Sequence, residues 1–223
     1  VETVRITPCG KPKRPYFFEQ VVTVTLTTDL LKDVEIRYTL DGTPPAATNG
    51  TIYSAPIAIT GTSMVRAAAF VSGVTTENIA TSTYLFLDDV ITQCANGQAP
   101  EGWPSSTVND QIMDYGMDPD VTSDARYAPL MKEAMEAIQT LSIVTDLDNL
   151  MDPATGIQVN ARQRGLDWER PISLELLDPD GGDTFQIDAG IRIRGGWSRR
   201  GSNVKHAFRL FFRGEYGETK LRF

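Results

Sequence analysis

From residue 22 to residue 27 apolar side chains and threonines alternate without a break, Val22, Val24 and Leu26 against Thr23, Thr25 and Thr27. A period of two sends alternate side chains to opposite faces, which suits a half-buried strand and denies a helix its apolar stripe. Val34, Ile36 and Tyr38 keep that period. Asp41-Gly42-Thr43-Pro44-Pro45 then interrupts it with a turn, because glycine tolerates positive φ and proline fixes the exit. Further short strands are expected at Ile52-Tyr53, at Pro56-Ile57-Ala58-Ile59, over residues 64–70 and over residues 83–87. Six or seven short strands at this spacing, with no helical period over residues 15–87, predict a small antiparallel sandwich occupying residues 1–87.

Residues 88–125 read differently: eight acidic residues and no Lys or Arg, punctuated by Gly97, Pro100, Gly102 and Pro104. The segment is expected to be a largely irregular acidic connector, either solvated or turning some carboxylates toward a basic partner or a cation. Asp118-Pro119-Asp120 and Asp124 lack the fixed loop spacing of a calcium hand. A third segment, residues 126–223, opens with the one clear helical pattern. Leu130, Met131, Ala134, Met135 and Ile138 recur at three- and four-residue steps, opposite Lys132, Glu133 and Glu136. That pattern predicts a helix over 127–138, with the methionines as core packing. A short buried strand at 141–144 follows, then a turn or short helix capped by aspartate at 146–153.

Strand patterns return near the end. Ile172, Leu174 and Leu176 alternate with Ser173 and Glu175, and Asp178-Pro179-Asp180-Gly181-Gly182 reads as a hairpin connection. Phe185, Ile187, Ala189, Ile191 and Ile193 mark one face of the next strand, with Asp188, Arg192 and Arg194 on the other. His206, Phe208, Leu210 and Phe212 mark a last strand, opposite Lys205, Arg209 and Arg213. His206, the only histidine, lies on the apolar stripe and is expected to be packed or hydrogen-bonded.

Charge is unevenly spread. The chain carries −8 overall, yet residues 191–223 hold nine Lys/Arg against two acidic residues. The cations surround a glycine-rich turn, Gly195-Gly196-Trp197-Ser198-Arg199-Arg200-Gly201-Ser202. Free backbone N–H groups ringed by guanidinium and ammonium groups suit a phosphate. The alternative is a solvated face balanced by carboxylates such as Glu175 and Asp188. Paired as a hairpin, the strands would put Arg192, Arg194, Lys205 and Arg209 on one surface, where like charges repel unless an anion offsets them. The turn matches neither G-x-x-x-x-G-K-S/T nor G-x-G-x-x-G. The overall acidity argues against general nucleic-acid binding, and no apolar run approaches membrane-spanning length. Cys9 and Cys94 are too few for a disulfide scaffold and wrongly spaced for a metal site; they either pair, in an exported protein, or stand alone. Asn49-Gly50-Thr51 fits a glycosylation acceptor but marks a turn equally well.

Two resemblances add to this. Tyr38-Thr39-Leu40-Asp41-Gly42-Thr43-Pro44, Tyr53-x-x-Pro56-Ile57-x-Ile59, and Val65-Arg66-Ala67-Ala68-Ala69-Phe70 with Gly73 resemble the chitobiase/β-hexosaminidase C-terminal-type module. That module is a fibronectin-like accessory sandwich of secreted enzymes, and it implies a spacer or packing role. From about residue 84 onward, several motifs look like the opening of the CotH (spore coat protein H) kinase-like family. They are residues 140–150, Thr155-Gly156-Ile157-x-Val159-Asn160, Trp168-Glu169-Arg170-Pro171, Ile191-Arg192-Ile193-Arg194-Gly195-Gly196-x-Ser198-Arg199 and residues 205–212.

The second resemblance implies an atypical protein kinase using ATP and a divalent cation such as Mg, acting on a protein substrate at the cell surface or outside the cell. It implies that Arg194, Gly195, Gly196, Ser198 and Arg199 form the phosphate loop, with Lys205, and Arg209 beside it, approaching the phosphates. The catalytic and metal-binding aspartates would lie beyond Phe223, so this fragment is expected to be inactive alone. Asp146 and Asp148 are read as a capped turn, not as replacements. The expected fold class is mixed and β-rich (α+β), with an antiparallel sandwich followed by an incomplete kinase-like lobe containing a β-meander. The competing expectation is a non-enzymatic extracellular module whose basic face binds an anionic glycan or partner.

Overall fold

The computed structural model describes residues 4–8, 17–30, 33–75, 78–182, 184–203 and 205–221. Alternation along the first strands places their apolar side chains between two sheets. β1 (Arg5–Thr7), β2 (Val22–Thr27) and β5 (Ile57–Ile59) make one sheet, in the order β1-β2-β5. β3 (Val34–Thr39), β4 (Thr51–Ile52), β6 (Ser63–Val71) and β7 (Val74–Thr75) make the other, in the order β4-β3-β6-β7, with β8 (Ala80–Tyr84) also paired to β6. Val22, Val24, Leu26, Ile57, Val65, Ala67, Ala69 and Tyr84 fill the space between them. The fold is β-rich with antiparallel sheets, as the alternation predicts.

β6 is buried on both faces. Val65, Ala67 and Ala69 face the sandwich core, yet Arg66, Ala68 and Phe70 on the opposite face are 7%, 0% and 3% exposed. Against Arg66 and the neighbouring β8 lies a third sheet, β11 (Thr140–Val144), β12 (Arg170–Leu177), β13 (Phe185–Ile193) and β14 (Phe208–Phe211), a meander paired in sequence order. Ser142 stands opposite Glu175, and Ser173 opposite Asp188, on one face of this meander. That face meets β8. Thr83 donates its hydroxyl to Glu175 Oε2 at 2.5 Å and its amide to Oε1 at 3.3 Å, while the Thr83 and Ser142 hydroxyls are 2.8 Å apart. The halves are thus stacked as β layers with a hydrogen-bonded polar layer between them, where a buried carboxylate needs such donors.

The Asp41–Pro45 turn belongs to the same contact. Gly42 has φ +85, and a Cβ there would stand 2.5 Å from the Thr145 carbonyl oxygen. Beneath the turn, Arg66 Nη1 donates to the Gly42 carbonyl at 2.8 Å. Burial lowers the pKa of Arg66, and the charges of Asp188, Asp146 and Asp41 oppose that shift.

The other face of the meander buries Ile172, Leu174, Ile187, Ala189, Ile191 and Ile193 against Ile157 and Ala161. Those last two come from the segment between α4 (Asp148–Met151) and β12. α4 begins at the expected aspartate turn, where Asp146 Oδ1 accepts the Asp148 amide at 3.0 Å. Asp178 Oδ1 likewise accepts the Asp180 amide at 2.9 Å, so the Asp178–Gly182 carboxylates serve a hairpin turn.

Three expectations change. The helix predicted over 127–138 is a 3-10 turn at Ala128–Leu130 followed by α3 (Met131–Glu136). Its apolar stripe has little to pack on, since Leu130 and Ile138 are 54% and 63% exposed and both methionines only half-buried. Among the described residues it is also one of four short α-helices, with α1 (Leu87–Thr92), α2 (Pro119–Thr122) and α4. β11 is not a buried strand: it is the edge of the meander, with Leu141 and Ile143 exposed and Val144 alone buried. The acidic connector contains a hairpin of its own, β9 (Thr107–Val108) and β10 (Gln111–Ile112), closed by Asn109 and Asp110 at φ 50 and 63. Positive φ at both central residues matches the twist of a two-residue hairpin.

Candidate anion-binding site

β13 and β14 set Arg192 directly opposite Arg209. Two cations facing each other across adjacent strands repel, so such a pair needs compensation. Part of it comes from Glu169, immediately before β12, whose side chain is 1% exposed. Arg192 Nε lies 3.0 Å from Glu169 Oε2, in an ionic contact too far off-axis to be a hydrogen bond. Arg213 Nε donates to Oε1 at 3.0 Å and the Tyr216 hydroxyl donates to the same oxygen at 3.1 Å. Burial, and then the charge of Glu169, push the Tyr216 hydroxyl up to about 12. The Arg192 guanidinium also sits 3.9 Å from the centre of the Phe211 ring, a favourable cation–π distance.

Arg192 and Arg209 open onto a cleft of about 450 Å³. Its other walls include Arg164, Arg194, Arg199, the Gly195-Gly196 turn and Trp168. Among the described residues no acidic residue lines it. Arg164, Arg194 and Arg209 have no carboxylate within ion-pair distance among the described residues. A second cleft of about 500 Å³ shares Arg164, Gly196 and Arg199 and adds Arg162 and Arg200. Burial lowers the pKa of Arg199, and the positive charges of Arg164 and Arg192 lower it further, as expected in a strongly electropositive site.

The sequence-derived residues divide within this frame. Arg194, Gly195, Gly196, Arg199 and Arg209 line the cleft together. Gly195 has φ +102 and packs against the side chain of Ser198. Arg199 does a different job from the one expected. Its guanidinium donates to the carbonyls of Gly195 at 2.6 Å, Ala161 at 3.0 Å, Gln163 at 2.5 Å and also Ile193. With most of its five N–H donors committed, it fixes the turn to the segment preceding β12. Lys205 is exposed and lines neither cleft. Of the carboxylates expected to balance the basic face, Glu175 and Asp188 lie in the layer between the sheets, and Glu169 takes that role.

Two neighbours complete the site. The connector hairpin reaches the turn, where Gln111 Nε2 donates to the Asn203 carbonyl and accepts from Gln158 through Oε1 at 3.0 Å. Asp110 lies 3.8 Å from Arg162, and Asp88 and Asp124 pair with Lys132 and Arg126, so several connector carboxylates do face basic side chains. His206 is half-buried, with Nδ1 3.4 Å from Gln158 Oε1, and burial lowers its pKa. Trp197 is 69% exposed beneath the Arg200 guanidinium, 3.6 Å from the ring centre. Cys94 is half-buried, and Cys9 lies outside the described residues. Arg164 was not singled out from sequence, and Glu169 entered only within the motif Trp168-Glu169-Arg170-Pro171, without a site role. Arg164 stands beside Gly165 in a polar stretch, a weak signal, and a glycine at position 190 is a further clue to Glu169.

Residues 24–84 match the family model described as Fn3 associated, so the sandwich is a fibronectin-associated module. No curated protein and no solved structure matches the chain.

Proposed function

We propose that a fibronectin-associated sandwich of the chitobiase C-terminal type is followed here by the phosphate-holding lobe of a CotH-like atypical protein kinase. The parent would be an exported, surface-associated protein that transfers a phosphoryl group from Mg-ATP to a protein hydroxyl. The observation supporting this is the cleft at Gly195-Gly196, lined by Arg164, Arg192, Arg194, Arg199 and Arg209 and, among the described residues, by no acid. Phosphoryl transfer depends on positioning and charge stabilisation, and fixed guanidinium groups in a recess supply both. Trp168 gives the cleft an aromatic wall beside its cations.

The anion half of Mg-ATP fits these residues. Among the described residues no group of three His, Cys, Asp or Glu is arranged to hold a metal, and no metal ligand is assigned among them. Lys205 keeps a place in the proposal by resemblance alone. No helix among the described residues is long and apolar enough to cross a membrane.

One observation favours a second reading. The cleft continues across the turn into the recess of Arg162, Arg164 and Arg200, beside exposed Trp197. Such a track suits an extended anionic glycan in an adhesion module. Calorimetric titration with Mg-ATP, tripolyphosphate and a sulfated polysaccharide separates the two, with wild type compared with Arg194→Ala. Nucleotide binding lost in Arg194→Ala supports the kinase lobe; glycan binding without nucleotide binding replaces it.

A further inference from the structure

A glycine inside a strand gives up packing and usually marks a close approach. Gly190, in the middle of β13, is such a case. A Cβ there would stand 2.5 Å from Glu169 Oε1 and 2.7 Å from the Tyr216 ring. The strand thus leaves room for a carboxylate to lie over its backbone. That carboxylate is almost fully buried and holds two arginines and a tyrosine hydroxyl at once. A buried charge is costly unless its partners are fixed around it, so the arrangement locks Arg192, Arg213 and Tyr216 to one point.

Arg192 alone among these three also lines the cleft. Its Nε approaches Glu169, and neither Nη makes a hydrogen bond among the described residues. Phe211 limits its movement from one side. Across the strands stands Arg209, which has no carboxylate of its own.

We propose that Glu169 is the positioning residue of the anion site, holding Arg192 opposite Arg209 so that the pair grips a single phosphoryl group. This rests on the reading of the cleft as a phosphoryl site and adds to it the residue that organises the grip. A tetrahedral group bearing two negative charges suits two guanidinium forks converging from adjacent strands. Glu169 does not touch the ligand and acts through Arg192.

The sign of one substitution tests this. A bystander carboxylate near an anion site weakens binding by repulsion, so its neutralisation would tighten binding. A positioning carboxylate gives the opposite result. Tripolyphosphate is titrated into wild type, Glu169→Gln, Arg192→Met and the double variant, with thermal unfolding as the check on folding. Glu169→Gln is expected to weaken binding about tenfold, the scale of one lost charge-assisted contact. In the Arg192→Met background the same change should have no further effect, because both act through one side chain.

Unchanged or tighter binding by folded Glu169→Gln overturns the positioning role and leaves the phosphoryl reading standing. Equal weakening in both backgrounds also overturns it. A folded wild type that binds no tripolyphosphate overturns both. Tyr216→Phe, which removes one donor to Glu169 without altering charge, keeps the test open if Glu169→Gln does not fold. It should weaken binding about two- to threefold, the scale of one ordinary hydrogen bond, and unaltered affinity there counts against the proposal.

Discussion

The hydroxyl of Thr83 and the carboxylate of Glu175, 92 residues apart in the chain, meet at 2.5 Å in the layer between the sandwich and the meander. Burial raises the pKa of Glu175, and the two Thr83 hydrogen bonds oppose that shift without cancelling it. The folded state therefore holds this proton more tightly than the unfolded chain does. The resulting stability is complete below the ordinary glutamate value and is lost as pH rises through the raised folded value.

Glu175→Gln should accordingly be more stable than wild type above that window, and the advantage should disappear in acid. A gain of about 1 kcal/mol would raise the unfolding midpoint by roughly 2–4 °C at this chain length. Thermal unfolding of both proteins across the acid-to-neutral range checks it, and a variant less stable at every pH would contradict it.

Gly42 and Gly73 separate two costs of adding a methyl group. Both have positive φ, but a Cβ on Gly73 meets nothing within 4 Å, whereas one on Gly42 meets the Thr145 carbonyl. Gly73→Ala should cost about 1 kcal/mol of backbone strain, and Gly42→Ala about 2 kcal/mol more through displacement of the opposing layer. Denaturant midpoints of the two variants give the comparison. Equal losses would mean that the turn does not bear on Thr145 in solution.

Arg199 and Arg194 should differ in kind. Removing the Arg199 guanidinium orphans four carbonyls and loosens the turn, so Arg199→Lys should accelerate amide exchange over residues 195–202 and destabilise the protein by about 2 kcal/mol. Arg194→Ala removes an exposed side chain without an ion-pair partner among the described residues and should change stability by less than about 0.5 kcal/mol. Hydrogen exchange and unfolding measured on the same samples distinguish them.

His206 should show the reverse pH sign to Glu175. Burial, helped by the charge of Arg199, lowers its pKa against a raising hydrogen bond to Arg200. The stability it contributes is present above the ordinary imidazole value and is lost as pH falls through the lowered folded value. An NMR titration of this single imidazole should find protonation only below the ordinary histidine range; a midpoint at or above that range would refute the assignment.

Where side chains alternate and one face has a core to fill, the strands were readable. β2 and, apart from Gly190, β13 follow that rule in their burial, whereas β6 and β12 are covered on both faces. The helix over 127–138 was overextended because a 3.6-residue period shows which residues would share a face, not whether anything meets that face. Ser173, Glu175 and Asp188 looked like solvent residues, since a polar side chain reads the same whether water or another sheet covers it. The cleft was half legible. Arg194, Gly195 and Gly196 adjoin in sequence and in space and Arg209 comes from the next strand, but Lys205 falls outside, while Arg164 and Glu169 arrive from the segment before β12, tens of residues earlier. Local spacing carries no record of such meetings.

Because β6 has a layer on each side, the fibronectin-associated module does not end at its own last strand. Lifted away at residue 87, it would leave Thr83 without Glu175 and Ser142 and strand Arg66 without the acidic field of Asp188. Grafting this sandwich onto a foreign protein would therefore succeed only with a new outer wall, one carrying acids and hydroxyls in the places where the meander supplies them.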